Sequence, residues 1–487
     1  MFKFLKKTMD KDSQTKKLDI KNNQRRNDPP TRDYIDEEFT DCADITKKEL
    51  SKINVLFVYF EYMIDNEMAD KILFSKIEKL EEEEIRHFFH KNQFQACKDS
   101  YQAVRAILDG SVLIFHQNDA YIFSAINLKT RAIQTAESET IITGSHDAFN
   151  EEINTNLSLI RRRVKSAHLK VLRFTVGKIT KNTVYILYIQ DIADQELMNE
   201  LKTRIDRIDI DAINDVNMLV QLFEEYPNSP FPQFFTTERP DVMSSKLTEG
   251  KIVGLMSNSP YAFSAPATFF DFVHSPDDYN QRWVAGSLIR FFRLFAFFIT
   301  VTLTAFYVSI TTYHYEMVPE LLLPSLIKSR SNVPFPPIIE ALLMEFTIEL
   351  LREAGARLPT KVGQTIGIVG GIVIGSASVE AGITSNILII FVAISAISSF
   401  VIPSYVMSSS VRIIRFGFIL MAGFLGNLGI SVALGFLVIS LTSLTSLKTP
   451  YLWPISPTQP KKWLDTIIRA PYSALINSKP GNTRGKK

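Results

Sequence analysis

The stretch that decides the fold runs from Arg357 to Asn386 and reads RLPTKVGQTIGIVGGIVIGSASVEAGITSN. Four glycines recur every four residues within this apolar run, namely Gly363, Gly367, Gly371 and Gly375. On a helix this spacing makes a ridge without side chains, so that another helix can approach closely, as happens in lipid bilayers. In water each of these glycines would weaken a helix by about 1 kcal/mol relative to alanine. The stretch therefore predicts a membrane helix that packs tightly against other helices.

The chain divides into a charged first half and an apolar second half. Charge is dense up to Asp278, whereas residues 416–447 contain no charged residue, and a spanning helix needs about 20 apolar residues. We therefore expect an α/β two-lobed soluble N-terminal domain followed by an α-helical polytopic membrane domain. The expected segments are a disordered basic tail over 1–48, a first cytoplasmic lobe over 49–145, a second cytoplasmic lobe over 146–280, a multi-pass membrane domain over 284–447 and a basic cytoplasmic tail over 448–487.

Several function classes receive no support from composition. The net charge of +2 over 487 residues gives no indication of nucleic-acid binding. Two cysteines, Cys42 and Cys97, cannot form a disulfide framework, which suits a reducing compartment. His87 and His90 precede Cys97 without a further ligand at a matching spacing, so that we expect no metal site. No nucleophile and base occur together in a recognisable motif, and we expect neither an enzyme nor a cofactor.

Hydrophobic periodicity predicts the elements of the soluble half. Strands are expected over 55–60, 112–116, 120–126, 169–176 and 184–190, and helices over 68–80, 147–163, 194–207 and 211–224. The four prolines between residues 226 and 241 predict a loop there. The helix over 147–163 ends in Arg161, Arg162 and Arg163. Their simplest interpretation is a solvated helix end that favours the dipole, and the alternative is a contact between subunits.

The candidate site residues in the second half of the chain are four glutamates. Over 338–352 we expect an amphipathic helix whose apolar residues share one face, while Glu345, Glu349 and Glu353 share the other. Two interpretations remain: an interfacial helix with a wet acidic face, which we favour, and carboxylates that face an aqueous vestibule. Glu380 is the only charged residue between Val362 and Val411. We expect it at or near the inner mouth of a cation pathway. The alternatives are a position at the cytoplasmic interface and a protonated carboxyl hydrogen-bonded to a partner subunit.

The number of membrane crossings follows from loop charge. Expected spans are 284–313, 363–382, 387–405 and a run over 416–447, with a break or kink expected at the residues Gly426 to Gly429. The segment from Lys448 onward carries eight Lys or Arg residues and one Asp, which favours a cytoplasmic position. With both ends inside, the number of crossings is even, most simply four. That count leaves Arg412 and Arg415 outside, against the same rule, so that the topology stays open.

Several blocks together resemble the A subunits of bacterial spore germinant receptors, the GerA family. They include ESETIITGSHDAFNEEINTNLSLIRRRVKSAHLK from Glu137, PFPQFFTTERPDVMSSKLTEGKIVGL from Pro230, SPDDYNQR from Ser275 and VPFPPIIEALLMEFTIELLREAGARLPTKVGQTIGIVGGIVIG from Val333. The resemblance covers residues 52–471. It implies a multi-pass protein of the spore inner membrane with a cytoplasmic N-terminal domain. It also implies a complex with a transporter-like B subunit and a lipoprotein C subunit.

The resemblance further implies a homo-oligomer, expected to be a pentamer, around a pore for monovalent cations that opens when germinants are sensed. From the residues themselves three function classes stay open. They are a ligand-gated cation channel, a non-conducting scaffold or signal transducer, and a secondary transporter. A transporter should show repeated broken helices in two matching halves, and the sequence shows no such repeat.

Overall fold

The computed structural model describes residues 28–471 and 473, apart from residues 81, 90, 92, 118, 127–135, 137, 138, 140, 142, 464 and 472. The sequence predicts no metal site at His87, His90 and Cys97. Of these three residues, His90 lies outside the described ones. Within them, no group of three or more His, Cys, Asp or Glu side chains is placed to hold a metal ion.

The first lobe is a five-stranded antiparallel sheet with helices around it. Its strands are β1 Thr46–Leu50, β2 Val55–Tyr59, β3 Phe94–Ala96, β4 Ser111–His116 and β5 Asp119–Ser124. Its helices are α1 Arg32–Glu38, α2 Asn66–Ala69, α3 Ser75–Ile77, α4 Glu82–Phe89 and α5 Ser100–Leu108, with a π-helical turn at Asp70–Phe74 between α2 and α3. The predicted hairpin over 112–126 is confirmed as β4 and β5, which pair from Ser111 opposite Ser124 to His116 opposite Asp119.

The second lobe repeats this topology. Its strands are β6 Leu169–Val176, β7 Asn182–Ile189, β8 Phe235–Thr237, β9 Ile252–Met256 and β10 Ala262–Ala265, and its helices are α6 Ile153–Arg163, α7 Gln195–Asp206, α8 Val216–Phe223 and α9 Pro240–Thr248. The strand orders are β1-β2-β4-β5-β3 and β6-β7-β9-β10-β8, with every neighbouring pair antiparallel. The two lobes are therefore structural repeats, which the sequence analysis did not detect.

Two expected segment boundaries are wrong. The segment before residue 49 is not a disordered tail throughout, because α1 and β1 belong to the first lobe and β1 pairs with β2. This edge strand reads TKKEL and exposes three charged side chains; such charges are common on sheet edges and mask the strand pattern. The segment after Lys448 is not a loose tail either. Tyr451 is fully buried and its carbonyl accepts from the Phe269 backbone N–H at 2.9 Å.

The remaining chain is helical. Its helices are α10 Asp277–Asn280, α11 Trp283–Tyr313, α12 Leu323–Arg330, α13 Pro337–Arg357, α14 Thr360–Glu380, α15 Asn386–Phe400, α16 Tyr405–Ser443 and α17 Pro460–Trp463, and a short hairpin, β11 Thr445–Ser446 with β12 Thr449–Pro450, follows α16. Among the residues whose side chains are described, two helices are long and apolar enough to cross a membrane, α11 and α16. A helical C-terminal part is thus confirmed.

Helix α16 breaks at Gly426, where the sequence predicted a break. Gly426 has φ 61° and ψ −140°, a region that glycine reaches without a steric penalty. It lies against His314, just beyond the far end of α11. From there the chain returns to the second lobe, where Ser446 Oγ accepts from the Ala267 N–H at 2.9 Å. The described helices therefore form six segments that alternate in direction: α11, α13, α14, α15 and the two halves of α16.

Candidate functional site in the helical domain

Helix α13 turns its apolar face outward and two of its four glutamates inward. Ile339, Leu343, Phe346 and Leu350 are 41 to 58% exposed, whereas Glu340 and Glu345 are fully buried. The favoured interpretation of a wet acidic face is therefore wrong for Glu345. The reason lies in tertiary packing: neighbouring helices supply partners for the carboxylates, and the apolar residues remain on the outer surface. An apolar exterior around a polar interior is typical of helices in lipid.

Glu345 joins four helices. Its Oε1 accepts from Thr304 Oγ1 of α11 at 2.7 Å, and its Oε2 lies 2.8 Å from Arg415 Nη2 of α16, with both charged side chains fully buried. Arg415 Nη1 in turn donates to Ser395 Oγ of α15 at 3.2 Å. Removing one partner of a buried ion pair commonly costs about 3–5 kcal/mol, because the other charge stays buried alone. Glu345 therefore connects helices inside the domain and does not face solvent.

One turn further along α13, the charges become partly accessible. Glu349 Oε1 lies 3.5 Å from Arg412 Nε. Arg352 donates from Nη2 to Ser399 Oγ at 2.8 Å, and its guanidinium lies over the Phe400 ring at 4.1 Å from the centroid. These three residues, together with Glu345 and Arg415, interact electrostatically with one another. We refer to the five residues Glu345, Glu349, Arg352, Arg412 and Arg415 as the charge cluster.

Sequence reasoning missed Glu340. Its Oε1 accepts from the Ser385 N–H at 2.6 Å and from Thr384 Oγ1 at 3.2 Å, at the start of α15. Arg330 Nε lies 3.8 Å from its other carboxylate oxygen. A carboxylate bonded to the first backbone amides of a helix is stabilised by the helix dipole. The available signal was one acid within the apolar run IIEALLM.

Glu353 and Glu380 lie at opposite ends of the bundle. Glu353 is exposed and forms a 2.6 Å ion pair with Arg357, near the end of α13. Glu380 is the exposed last residue of α14, and Gly382 beyond it packs against Asn332 in the connection between α12 and α13. That connection follows the end of α11 that lies away from the α/β lobes. Glu380 therefore lies at the end of the helical domain away from the lobes, whereas the expected inner-mouth position is on the side of the lobes.

The glycine ridge leaves part of its surface unoccupied within this chain. A Cβ atom built on Gly371 or Gly375 would meet no atom within 4 Å, whereas one on Gly370 would lie 2.9 Å from Leu351 Cδ2 of α13. The contact between α14 and α13 thus passes beside the predicted ridge. The side-chain surroundings of Gly363 and Gly367 lie outside the described residues.

The three arginines of α6 have different environments. Arg161 is buried and donates from Nε to Asp44 Oδ2 at 3.0 Å and from Nη2 to Asp44 Oδ1 at 3.1 Å. It therefore connects the two lobes and is unavailable to another subunit. Arg163 pairs with Asp147 at 2.6 Å near the surface, and Arg162 is exposed. A subunit contact remains a hypothesis for these last two residues.

A second charged centre, also missed from sequence, connects the lobes to α11. Asp278 is fully buried and accepts from Arg290 Nε at 3.2 Å and from Arg293 Nη1 at 2.5 Å. Close by in the second lobe, Lys246 and Lys251 both donate to Asp271 at 2.7 Å. These two ammonium groups hold the pKa of Asp271 well below its usual range despite burial. The buried ion pairs of Asp278 therefore join the short helix α10, which follows the second lobe, to the first turns of α11.

The chain is similar in sequence to several known proteins. A family model described as Bacillus/Clostridium GerA spore germination protein matches residues 33–480. Spore germination protein GerQA of Bacillus cereus is 47% identical over 399 residues, which is 81% of this chain and 79% of that protein. Spore germination protein A1 of Bacillus subtilis (strain 168) is 37% identical over 445 residues, covering 90% of this chain and 92% of that protein.

A solved structure also aligns with the first half. It is the N-terminal domain of the A subunit of the Bacillus megaterium spore germinant receptor GerK3, with 24% identity, a TM-score of 0.38, and coverage of 49% of this chain and 93% of that chain. The family match spans nearly the whole chain, and the two relatives cover most of it at 37 and 47% identity. The chain therefore belongs to the GerA family of spore germination proteins, the germinant receptor A subunits.

Proposed function

We propose that this chain assembles with copies of itself in the inner membrane of the spore as a cation channel that opens when germinants are sensed. The observation that carries the proposal is the outer surface of α14, where Gly371 and Gly375 face open space. In lipid, a ridge of small residues associates with another helix through close backbone contact. Because a Cβ at either position would meet no atom of the described residues within 4 Å, a neighbouring copy is the proposed occupant.

Helix lengths support a membrane position. Helices α13 and α14 have 21 residues each, or about 31 Å at 1.5 Å per residue, close to a hydrocarbon core of about 30 Å. With the six alternating segments crossing the bilayer, the described residues that follow α16 lie on the same side as the α/β lobes. This proposal replaces the four crossings favoured from sequence and keeps the lobes in the cytoplasm. Arg412 and Arg415 then lie within the bundle rather than outside.

With the lobes in the cytoplasm, we propose that Glu380 lies on the outer side, at the end of the proposed subunit contact. In a closed ring, a pentamer in the simplest case, one exposed carboxylate per chain would attract monovalent cations and repel anions. The glutamates of the charge cluster, in contrast, are opposed by arginines inside one chain. We therefore assign the cation path to the space between subunits, with Glu380 rather than Glu345 or Glu349 at its outer mouth and Glu353 near its inner side.

A non-conducting scaffold is the second candidate. It is favoured by the ion pairs of the charge cluster, which fill the space between the helices of one chain rather than line a path. In either case we propose complexes with the transporter-like B subunit and the lipoprotein C subunit of the receptor.

Ion flux separates the two candidates. The full chain would be reconstituted in vesicles with and without its B partner, and potassium flux measured together with oligomer mass. We expect flux from an oligomer, and Glu380→Gln should reduce the flux without changing the mass. An assembled oligomer without flux in the presence of the B partner and germinant would establish the scaffold instead.

A further inference from the structure

We propose that the charge cluster binds a phosphate-bearing anion, the headgroup of an anionic lipid in the leaflet next to the α/β lobes. The inference rests on the proposed membrane position of the helices and assigns a ligand that the channel proposal does not contain. Its basis is an excess of positive charge with unsatisfied hydrogen-bond donors, placed where headgroups would lie.

The charge balance of the cluster is positive. Three arginines face two glutamates, and electrostatic interactions connect these five groups. Arg415 is matched by Glu345 at 2.8 Å, and Arg412 by Glu349 at 3.5 Å. Among the described residues, the direct contacts of the Arg352 guanidinium are uncharged: the Ser399 hydroxyl at 2.8 Å, the Ala396 carbonyl at 3.4 Å and the Phe400 ring. Arg352 thus carries the uncompensated charge.

The unsatisfied hydrogen-bond donors of the charge cluster also point to Arg352. In the part of the chain that the structure describes, Arg352 Nε and Nη1 have no hydrogen-bond partner, and the same holds for Arg415 Nε and for Glu349 Oε2. Buried donors without partners are costly, about 1–3 kcal/mol each and more when charged. Arg352 is partly exposed, so rotation of its long side chain brings these donors to the surface. A guanidinium presents a planar fork of donors that fits phosphate oxygens.

The depth of the site matches a headgroup. Arg352 lies five residues before the end of α13 at Arg357, or about 7 Å along the helix axis. Beside it, Phe400 ends α15 and Tyr405 begins α16, with 69 and 63% of their surfaces exposed. Exposed aromatic rings at helix ends are typical of the membrane interface. Basic pockets between helices on the cytoplasmic side are known sites for anionic lipid headgroups.

The test uses the full chain in nanodiscs of phosphatidylcholine, with or without phosphatidylglycerol, and native mass spectrometry of the lipid retained. Wild type should retain phosphatidylglycerol preferentially. Arg352→Gln and Arg412→Gln should each weaken this retention about fivefold, the effect of one basic residue near a membrane surface. Arg357→Gln is the matched control and should retain the lipid like wild type, because Arg357 is exposed and already paired with Glu353.

A second variant separates lipid binding from a purely structural role. Glu349→Gln raises the net charge of the cluster and should strengthen phosphatidylglycerol retention. If it weakens retention together with the arginine variants, or if Arg352→Gln and Arg412→Gln retain lipid like wild type, the site is overturned. Stabilisation by inorganic phosphate in pure phosphatidylcholine would identify free phosphate as the source of the anion. A chain recovered as a soluble protein without detergent would overturn the membrane proposal itself.

Discussion

Arg415 Nη2 lies 2.8 Å from Glu345 Oε2, and neither side chain reaches the surface. The pair connects α13 to α16 in the middle of the helical domain. There, the Thr304 hydroxyl of α11 donates a hydrogen bond to the other oxygen of the Glu345 carboxylate. A buried ion pair of this kind favours one arrangement of the helices, because each buried charge is stabilised only next to its counter-charge. Any change in helix positions during signalling must carry both residues together or break the pair.

Loss of one member of this pair should be more harmful than loss of both. Glu345→Gln leaves Arg415 buried without its counter-charge and should lower the free energy of unfolding by about 3–5 kcal/mol. The double variant Glu345→Leu with Arg415→Leu should recover most of that loss. Thermal unfolding in detergent would measure both, with Glu353→Gln as the exposed control that changes little. A single variant as stable as wild type would contradict a structural role.

The contact between the lobes predicts a difference between two adjacent arginines. Arg161→Gln should destabilise the soluble half by about 3 kcal/mol, because Asp44 stays buried without its partner. Arg163→Gln should cost less than about 1 kcal/mol, since its pair with Asp147 is near the surface. Urea unfolding of a fragment spanning residues 28–275 would compare them. Equal effects would show that burial does not distinguish the two positions.

The residue at which this fragment begins should also affect its stability and its association. A fragment from residue 49 lacks Asp44 and most of the edge strand β1, which pairs with β2 over five residues. It should therefore unfold at lower urea concentration than the fragment from residue 28 and should associate through the uncovered strand edge. Gel filtration at several concentrations would detect the association. Two equally stable, monodisperse fragments would place residues 28–48 outside the folded domain.

Glu139 should make the stability of the second lobe depend on pH. Burial raises its pKa from about 4.5 to about 7, although Thr237 donates a hydrogen bond and Arg239 lies near; Glu238 and Asp241 raise it further. The folded state therefore holds its proton more tightly, so that this stabilisation is complete below about pH 4.5 and is lost as the pH rises through about 7. Glu139→Gln should remove that part of the pH dependence. Parallel stability curves for wild type and variant would exclude the effect.

The glycine positions on α14 should separate folding from assembly. Gly371→Leu and Gly375→Leu should leave the single chain folded, because a side chain there meets open space, but should reduce the oligomer fraction. Gly370→Leu should instead destabilise the chain itself through its contact with Leu351. Ile372→Leu is the control and should change neither. Native mass spectrometry and thermal unfolding measure the two properties, and unchanged assembly in all variants would remove the ridge from the subunit contact.

Local sequence patterns were sufficient to predict those secondary-structure elements that depend on neighbouring residues in the chain. The strand over 169–176 is β6 as predicted, and the break at Gly426 follows from a glycine inside a run too long for one span. The family also followed from sequence, because quoted blocks from the lobes and the helices occur together. Such signals depend on neighbours in the chain, which the sequence contains directly.

Only the tertiary structure decided which way charged side chains point. The pattern of α13 predicts two faces, but the sequence cannot say that Glu345 faces Arg415, 70 positions later. In water the acidic face would be outside; with apolar surroundings it turns inward, since a buried carboxylate needs a counter-charge that only packing can supply. Arg161 is a second case, since the adjacent Arg163 has the same chemistry but lies near the surface. Burial, rather than residue type, distinguishes them.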